Sequence, residues 1–453
     1  MKHVKTPLMA GCASLLVAAT LMAGNVLAAD EEKPSPLQFY TEPNGSFAKA
    51  TLEASLGFFG QGDSWFGNSA ANLGEKSDSW WESLIRPGLD LKYVLPNSQS
   101  FYGQINAVQA NTFGGVDAAG TNGPDYEDDE DVSDLRIDHA FAGWRSGNLF
   151  SSLDEDFLDL SFGRQRYVVG DGFLISSEGY AGFNRAAYWI GGRNTADYAA
   201  VVRMKSGNWS GDLVYFKADD RAESDTTLGG GNLNYAVEKV ASIGGGFYAL
   251  NSDIEKRDSM NVYNLRGGIN PFAFAKGVPA LQPLRFDAEY VHEDAGHDFT
   301  NGDAWHITAS YQFETVPWKP LLAYRYASFD ENYDSLFYNS SDWGNWFQGE
   351  ILGEYVLLNE NLDSHMLKLK LQPLDPVTVN LIYYKFMLHD AAAFGVTSDD
   401  YADEYNLIVD WAVNDHLSLS VVGAIADPDD AATEHTGGDD TWSYVMVFGA
   451  VKF

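Results

Sequence analysis

Arginines and lysines recur at every second residue of several polar runs in this chain, and that spacing is where its chemistry lies. Arg86, Lys92, Arg136, Arg203, Lys205, Arg266, Arg285, Arg325, Lys368 and Lys370 occupy the polar parity of segments whose other parity is apolar. Asp90, Asp138, Asp197, Asp287, Glu289 and Asp410 share it. Cations therefore outnumber acids on this face, although Asp and Glu outnumber Lys and Arg in the whole chain by 64 to 29. A guanidinium presents a planar fork that matches a carboxylate. Rings of Arg or Lys along a passage select anions. The plainer alternative is that these cations only neutralise the acids beside them.

Other chemistry finds little support. Cys12 is the only cysteine and lies in the expected leader, so no thiol nucleophile, disulfide or cysteine metal site is available to the mature chain. The histidines are scattered (His139, His292, His306 and His365 on different segments), and neither a Gly-x-Ser-x-Gly elbow nor His-Glu-x-x-His occurs. No enzyme, cofactor or metal site is expected. Asp125, Glu127, Asp128, Asp129, Glu130, Asp131 and Asp134 form an acidic run, but without an ordered ligand spacing for a divalent cation. It reads as a solvated, repulsive outer surface. A net charge of −35, or −37 once the leader's Lys2 and Lys5 are removed, argues against nucleic acid as a partner.

The elements that position the cations are strands. Trp305, Ile307, Ala309, Tyr311 and Phe313 alternate with His306, Thr308, Ser310 and Gln312. Leu284, Phe286, Ala288 and Tyr290 alternate likewise with Arg285, Asp287 and Glu289. Full charges at mid-strand mean that the apolar parity faces lipid and the polar parity a lumen. Eighteen segments follow this pattern, near residues 48–59, 82–95, 100–112, 135–146, 156–166, 195–205, 209–218, 231–238, 240–249, 259–269, 283–293, 303–313, 320–328, 363–372, 377–388, 403–413, 416–426 and 442–453. Glycines 229–231 and 244–246 blur the eighth and ninth, leaving sixteen as the alternative. Connections alternate between short (96–98, 206–208, 372–376, 414–415) and long, mostly acidic ones (60–79, 114–134, 219–231, 329–363, 389–403, 427–441). Short periplasmic turns with long outer loops mark a bacterial outer-membrane barrel.

The N-terminus fits that destination. Lys2 and Lys5 precede an apolar run ending in Val26-Leu27-Ala28, and acids begin at Asp30. Residues 1–28 read as a secretory signal peptide, 29–47 as a periplasmic segment and 48–453 as the barrel. Too little apolar sequence precedes Cys12 for lipoprotein processing. The expected fold is all-β, a transmembrane antiparallel up-and-down β-barrel with a water-filled lumen. Val445, Val447, Gly449, Val451 and the terminal Phe453 resemble the C-terminal strand by which the assembly machinery recognises such barrels.

Three motifs add a family resemblance. Gly163-Arg164-Gln165-Arg166 with Gly170-Asp171-Gly172-Phe173 resembles the Gly-Arg-Gln segment of alginate-export outer-membrane porins. Trp343-Gly344-Asn345-Trp346-Phe347-Gln348-Gly349-Glu350-Ile351 is similar to their tryptophan-flanked Gln-Gly-Glu segment, and Leu371 to Pro376 running into Tyr383-Tyr384-Lys385-Phe386 to a late strand–turn–strand. The resemblance implies a monomeric eighteen-stranded barrel through which an anionic polysaccharide or oligouronate leaves the periplasm passively. Arg86, Arg136, Arg164, Arg166, Arg185, Arg193, Arg203 and Arg325 would be its pore cations. Asp138 shares their parity, and Asp171 and Glu350 would pair with the arginines. It also implies a periplasmic partner that feeds the polymer, and makes 114–134 the outer gate. Arg164 and Arg166 share parity with Leu158, Leu160 and Phe162, so they reach the lumen only if Gly163 breaks the register or if they lie in the loop above the membrane. Arg185 and Arg193 fall in 170–194, read as a loop folding inward. A general or sugar-acid diffusion porin needs the same cationic lumen with a wider eyelet. A barrel enzyme or an adhesin leaves the lumen cations unexplained.

Overall fold

The computed structural model describes residues 37–121, 131–220, 223–344 and 348–453. The expected leader, most of the acidic run and Trp346 lie outside them. Eighteen strands form one closed antiparallel barrel: β2 (Phe47–Gly62), β3 (Ser79–Val94), β4 (Ser100–Gly114), β5 (Val132–Arg145), β6 (Leu158–Arg164), β7 (Tyr198–Ser206), β8 (Trp209–Lys217), β9 (Thr227–Val237), β10 (Ala241–Asn251), β11 (Asn261–Ile269), β12 (Leu284–Asp294), β13 (Gly302–Gln312), β14 (Leu321–Phe329), β15 (Leu362–Leu374), β16 (Val377–Leu388), β17 (Asp400–Ala412), β18 (Leu417–Pro428) and β19 (Trp442–Lys452). Each pairs with the next, and β19 closes onto β2 from Ser443 opposite Gly62 to Lys452 opposite Glu53. An additional short strand, β1 (Gln38–Thr41), was not expected; it pairs with β2 beyond the end of β19.

The apolar parity faces outward, as the alternation requires. Ile85, Leu135, Ile137, Leu265, Ile307 and Val447 are all exposed on the outer face. In water this surface would be an aggregation hazard, whereas in lipid it is the correct solvent. The glycine-rich β9 and β10 both form, and the Tyr248 ring occupies the space beside Gly230 and Gly246. That settles the count at eighteen rather than sixteen.

Inside, the lumen departs from expectation. Two outer loops, residues 165–197 and the described parts of a second (330–344 and 348–361), fold back and pack the outer half. Trp189, Phe173, Ile175, Leu336, Trp343 and Tyr355 are buried there against inward residues such as Trp80, Phe216, Phe386 and Trp442. The wall holds these loops with buried carboxylates. Glu82 Oε2 accepts the Ile190 N–H at 2.7 Å. Glu293 Oε2 accepts that of Asp334 at 2.8 Å. Glu404 accepts those of Glu350, Ile351 and Leu352 at 2.6, 3.1 and 2.8 Å. The loops also meet each other: the Tyr188 hydroxyl donates to Glu354 at 3.3 Å, and the Trp189 and Tyr355 rings lie 4.8 Å apart. The inward fold of 170–194 agrees with the sequence reading. The second loop was not foreseen. Of the expected gate at 114–134, Asp117 and Ala118 are buried, with Asp117 bonded to the Trp189 indole; 122–130 lie outside the described residues.

Candidate functional site

Register decides which charges reach the lumen. In β5 two residues, Asp138 and His139, stand opposite Asn106 alone, because Ile105 pairs with Ala140 while Ala107 pairs with Ile137. This bulge reverses the parity of the rest of the strand. Leu135 and Ile137 face lipid before it, while Gly143 and Arg145 face the lumen after it. The Tyr102 ring lies across Gly143, where any Cβ would overlap it. The Arg145 guanidinium stacks 4.6 Å above that ring, and its Nε bonds Asp159 at 3.1 Å. Simple alternation misses Arg145; the adjacent polar pair Asp138-His139 in mid-strand is the signal that finds it.

Arg145 begins a lateral row. It stands opposite Asp159, which stands opposite Arg203, which stands opposite Asp212. The arginine side chains are 41 % and 39 % exposed, against 16 % and 19 % for their acids. Arg136 follows the same rule, more exposed than its partner Asp134 at 2.8 Å. In these three pairs the cation is the more solvent-accessible member.

The other expected cations are tied more tightly. Arg86 bonds Glu53 at 2.5 Å and the Gly192 carbonyl at 2.5 Å, and lies 3.5 Å from Asp138. Gly163 has φ +128°, a conformation that costs L side chains dearly, and β6 ends at the next residue. That break turns Arg164 onto Asp197 at 2.9 Å and onto Asp219. Arg166 bonds the Ser176 carbonyl and hydroxyl. Arg185 bonds Asp219 at 2.8 Å and lies over Tyr180. Burial alone would raise the Asp219 carboxyl; Arg185 and Arg164 outweigh it and hold it low. Arg193 is almost wholly buried, donating to the Arg185 carbonyl and to Asp134 at 2.8 Å. Arg185 and Arg193 are therefore clasps of the inward loop rather than pore wall, because the loop that carries them turns their guanidiniums into the packed core. The Glu350 N–H is held by Glu404, and its carboxyl lies near Glu354 and Tyr444.

In the inner half, beneath the loops, a cavity of about 590 Å³ is lined by Arg266, Arg285, Arg325 and Lys368 together with Asp171 and Asp342. Arg325 lies 3.8 Å over the Trp343 ring and donates to Thr308 at 2.6 Å and to Asp342 at 2.9 Å. Lys368 donates to Asp342 at 3.3 Å. Here the order is reversed, for Asp342 is 61 % exposed while its cations are buried. The wall also holds acids that alternation did not count, Glu53, Asp159 and Asp212 among them. The lumen is thus an interleaved ladder of ion pairs rather than a bare arginine tube. No cluster of His, Cys, Asp and Glu suited to a metal occurs among the described residues.

A closed eighteen-stranded barrel with a lipid-facing apolar band and a charged interior is a multi-pass channel of the bacterial outer membrane. Residues 82–446 match the family described as alginate export, and the chain belongs to that family. No curated protein sequence matches it. Among solved structures it is similar to Acinetobacter baumannii OccAB4 (14 % identity, 91 % of this chain and 100 % of that one, TM-score 0.57). It also resembles Pseudomonas aeruginosa OccK5 (OpdH) (9 %, 90 % and 98 %, 0.57). A third is the outer membrane protein OprD from Pseudomonas aeruginosa (12 %, 90 % and 94 %, 0.54). At these identities the likeness is one of fold.

Proposed function

We propose that this channel is anion-selective and lets an anionic polysaccharide of the alginate type pass passively out of the periplasm. The carrying observation is the row Arg145–Asp159–Arg203–Asp212, whose arginines are more exposed than their acids. A polyuronate sliding past meets repeated fork-like contacts, each already partly satisfied by a wall carboxylate and so weak enough to release. Family membership supports the same substrate class. The packed outer half must open to let a polymer through, so the described state is a closed one. Direction comes from polymer synthesis behind the pore or from a concentration gradient.

Planar-bilayer recording with oligouronate tests this. Anion-selective reversal potentials, with block by oligouronate but not by a neutral oligosaccharide, are expected. Cation selectivity would overturn the reading. Equal block by monomeric and oligomeric uronate would replace the polymer with a small sugar acid.

A further inference from the structure

The outer face of the barrel carries a recess whose occupant the membrane itself can supply. It lies on β10–β13 and has a volume of about 660 Å³. Its floor is a cross-strand pair of small residues, Gly267 opposite Ala288, in a row with Ile243 on one side and Ile307 on the other. Leu265 and Tyr290 stand on one side along the strands, Ile269 and Phe286 on the other. The row sits two to four residues from the inner ends of β10, β11 and β12. At ~3.4 Å per residue that is on the order of 10 Å, within the inner leaflet's share of an apolar band ~25 Å tall.

The turn below the recess is unlike the rest of the chain. Residues 270–283 join β11 to β12 on the inner side, and Lys276 is their only charged residue in a chain carrying 64 acids. Phe274, Val278 and Leu281 are exposed. The hydroxyl of Tyr311 donates to the Ala280 carbonyl. Tyr311 has the parity of Trp305 and Ile307, so this bond holds the turn toward lipid rather than beneath the lumen. An apolar, acid-free turn with one cation, lying at the membrane interface, fits a phosphate headgroup and the start of its acyl chains.

The geometry points to a bound inner-leaflet phospholipid, its acyl chain over the Gly267–Ala288 floor and its phosphate at Lys276. The site is independent of what passes through the lumen.

Lipid retained by the protein extracted from membranes in mild detergent tests it, measured by native mass spectrometry as phospholipid per barrel. The wild-type chain should keep one phospholipid. Ala288→Phe should lower retention by about tenfold by filling the floor, a loss of about 1.4 kcal/mol. Lys276→Glu should lower retention of anionic phospholipid more than that of zwitterionic phospholipid. Ala200→Phe, on the lipid-facing side of β7, should retain as wild type does. Heat-modifiable gel mobility confirms that each variant is a folded barrel. Equal retention by wild type, Ala288→Phe and Lys276→Glu overturns the site. So does a change of oligomeric state with Ala288→Phe, which would make the recess a contact between copies.

Discussion

Inside this barrel the two members of an ion pair are not equally exposed, and the anion selectivity proposed for it rests on that inequality. Arg145 and Arg203 are the more exposed members of their pairs, held by Asp159 and Asp212. Replacing either by Glu reverses a charge, a change of two units, and should lower the anion-to-cation permeability ratio by more than about tenfold, since each unit charge at ~4 Å in a water-like dielectric is worth about 1 kcal/mol. Reversal potentials measure this, and Arg145→Glu should act as strongly as Arg203→Glu although simple alternation gives it no place. Arg193 has a different part. Arg193→Ala leaves Asp134 with Arg136 alone and a buried loop without its clasp, at a cost of about 3 kcal/mol. The expected sign is protease cleavage within 165–197 while the barrel keeps its heat-modifiable mobility.

At the scale of elements, strands were legible and loops only in part. Period-two alternation is a local property, so all eighteen barrel strands could be placed from sequence, several to within three residues at either end. Two things escaped it. A bulge is one extra residue, and Asp138-His139 announces it only by two adjacent polar side chains. The inward fold of the second loop depends on distant groups: Glu404 on β17 and Glu293 on β12 hold that loop by its backbone N–H groups, and no spacing within the loop shows it. Gly163 was legible as a register break, and its φ of +128° makes the substitution test direct. Gly163→Ala should cost about 1–3 kcal/mol and reduce the yield of folded barrel, while Gly207→Asn, in an open turn at φ +55°, should not. The inward loops should also respond to pH. Burial pushes the Glu178 carboxyl up to about 8, against the pull of Arg166 and the Tyr167 N–H. An acid raised in the folded loop holds its proton there longer than in the released loop. Its contribution is therefore fully present below about 4.5, the ordinary value, and is lost as pH rises toward 8. Amide exchange within 166–195 should speed up across that window, and Glu178→Gln should flatten the change.

The whole molecule sets its loop chemistry against its lumen chemistry. The chain has a net charge of −35 and its long outer connections are mostly acidic, while the described lumen interleaves arginines with carboxylates. If the lumen selects anions as proposed, an outward-moving polyanion leaves an attractive interior for a repulsive outer surface and is not drawn back once it has emerged. The larger consequence lies in what fills the outer half. Trp189, Trp343, Tyr355 and their neighbours form an apolar core of the sort that a soluble protein folds around, enclosed within a membrane protein. If the outer half opens as proposed, that surface meets water, and gating is then a local unfolding transition with a positive heat-capacity change. Its free energy must curve with temperature, and the closed state must have a temperature of greatest stability with opening favoured on both sides of it. Open probability recorded from single channels over a wide temperature range should trace a minimum rather than a straight Arrhenius line. In that sense the gate is a calorimetric object before it is a mechanical one.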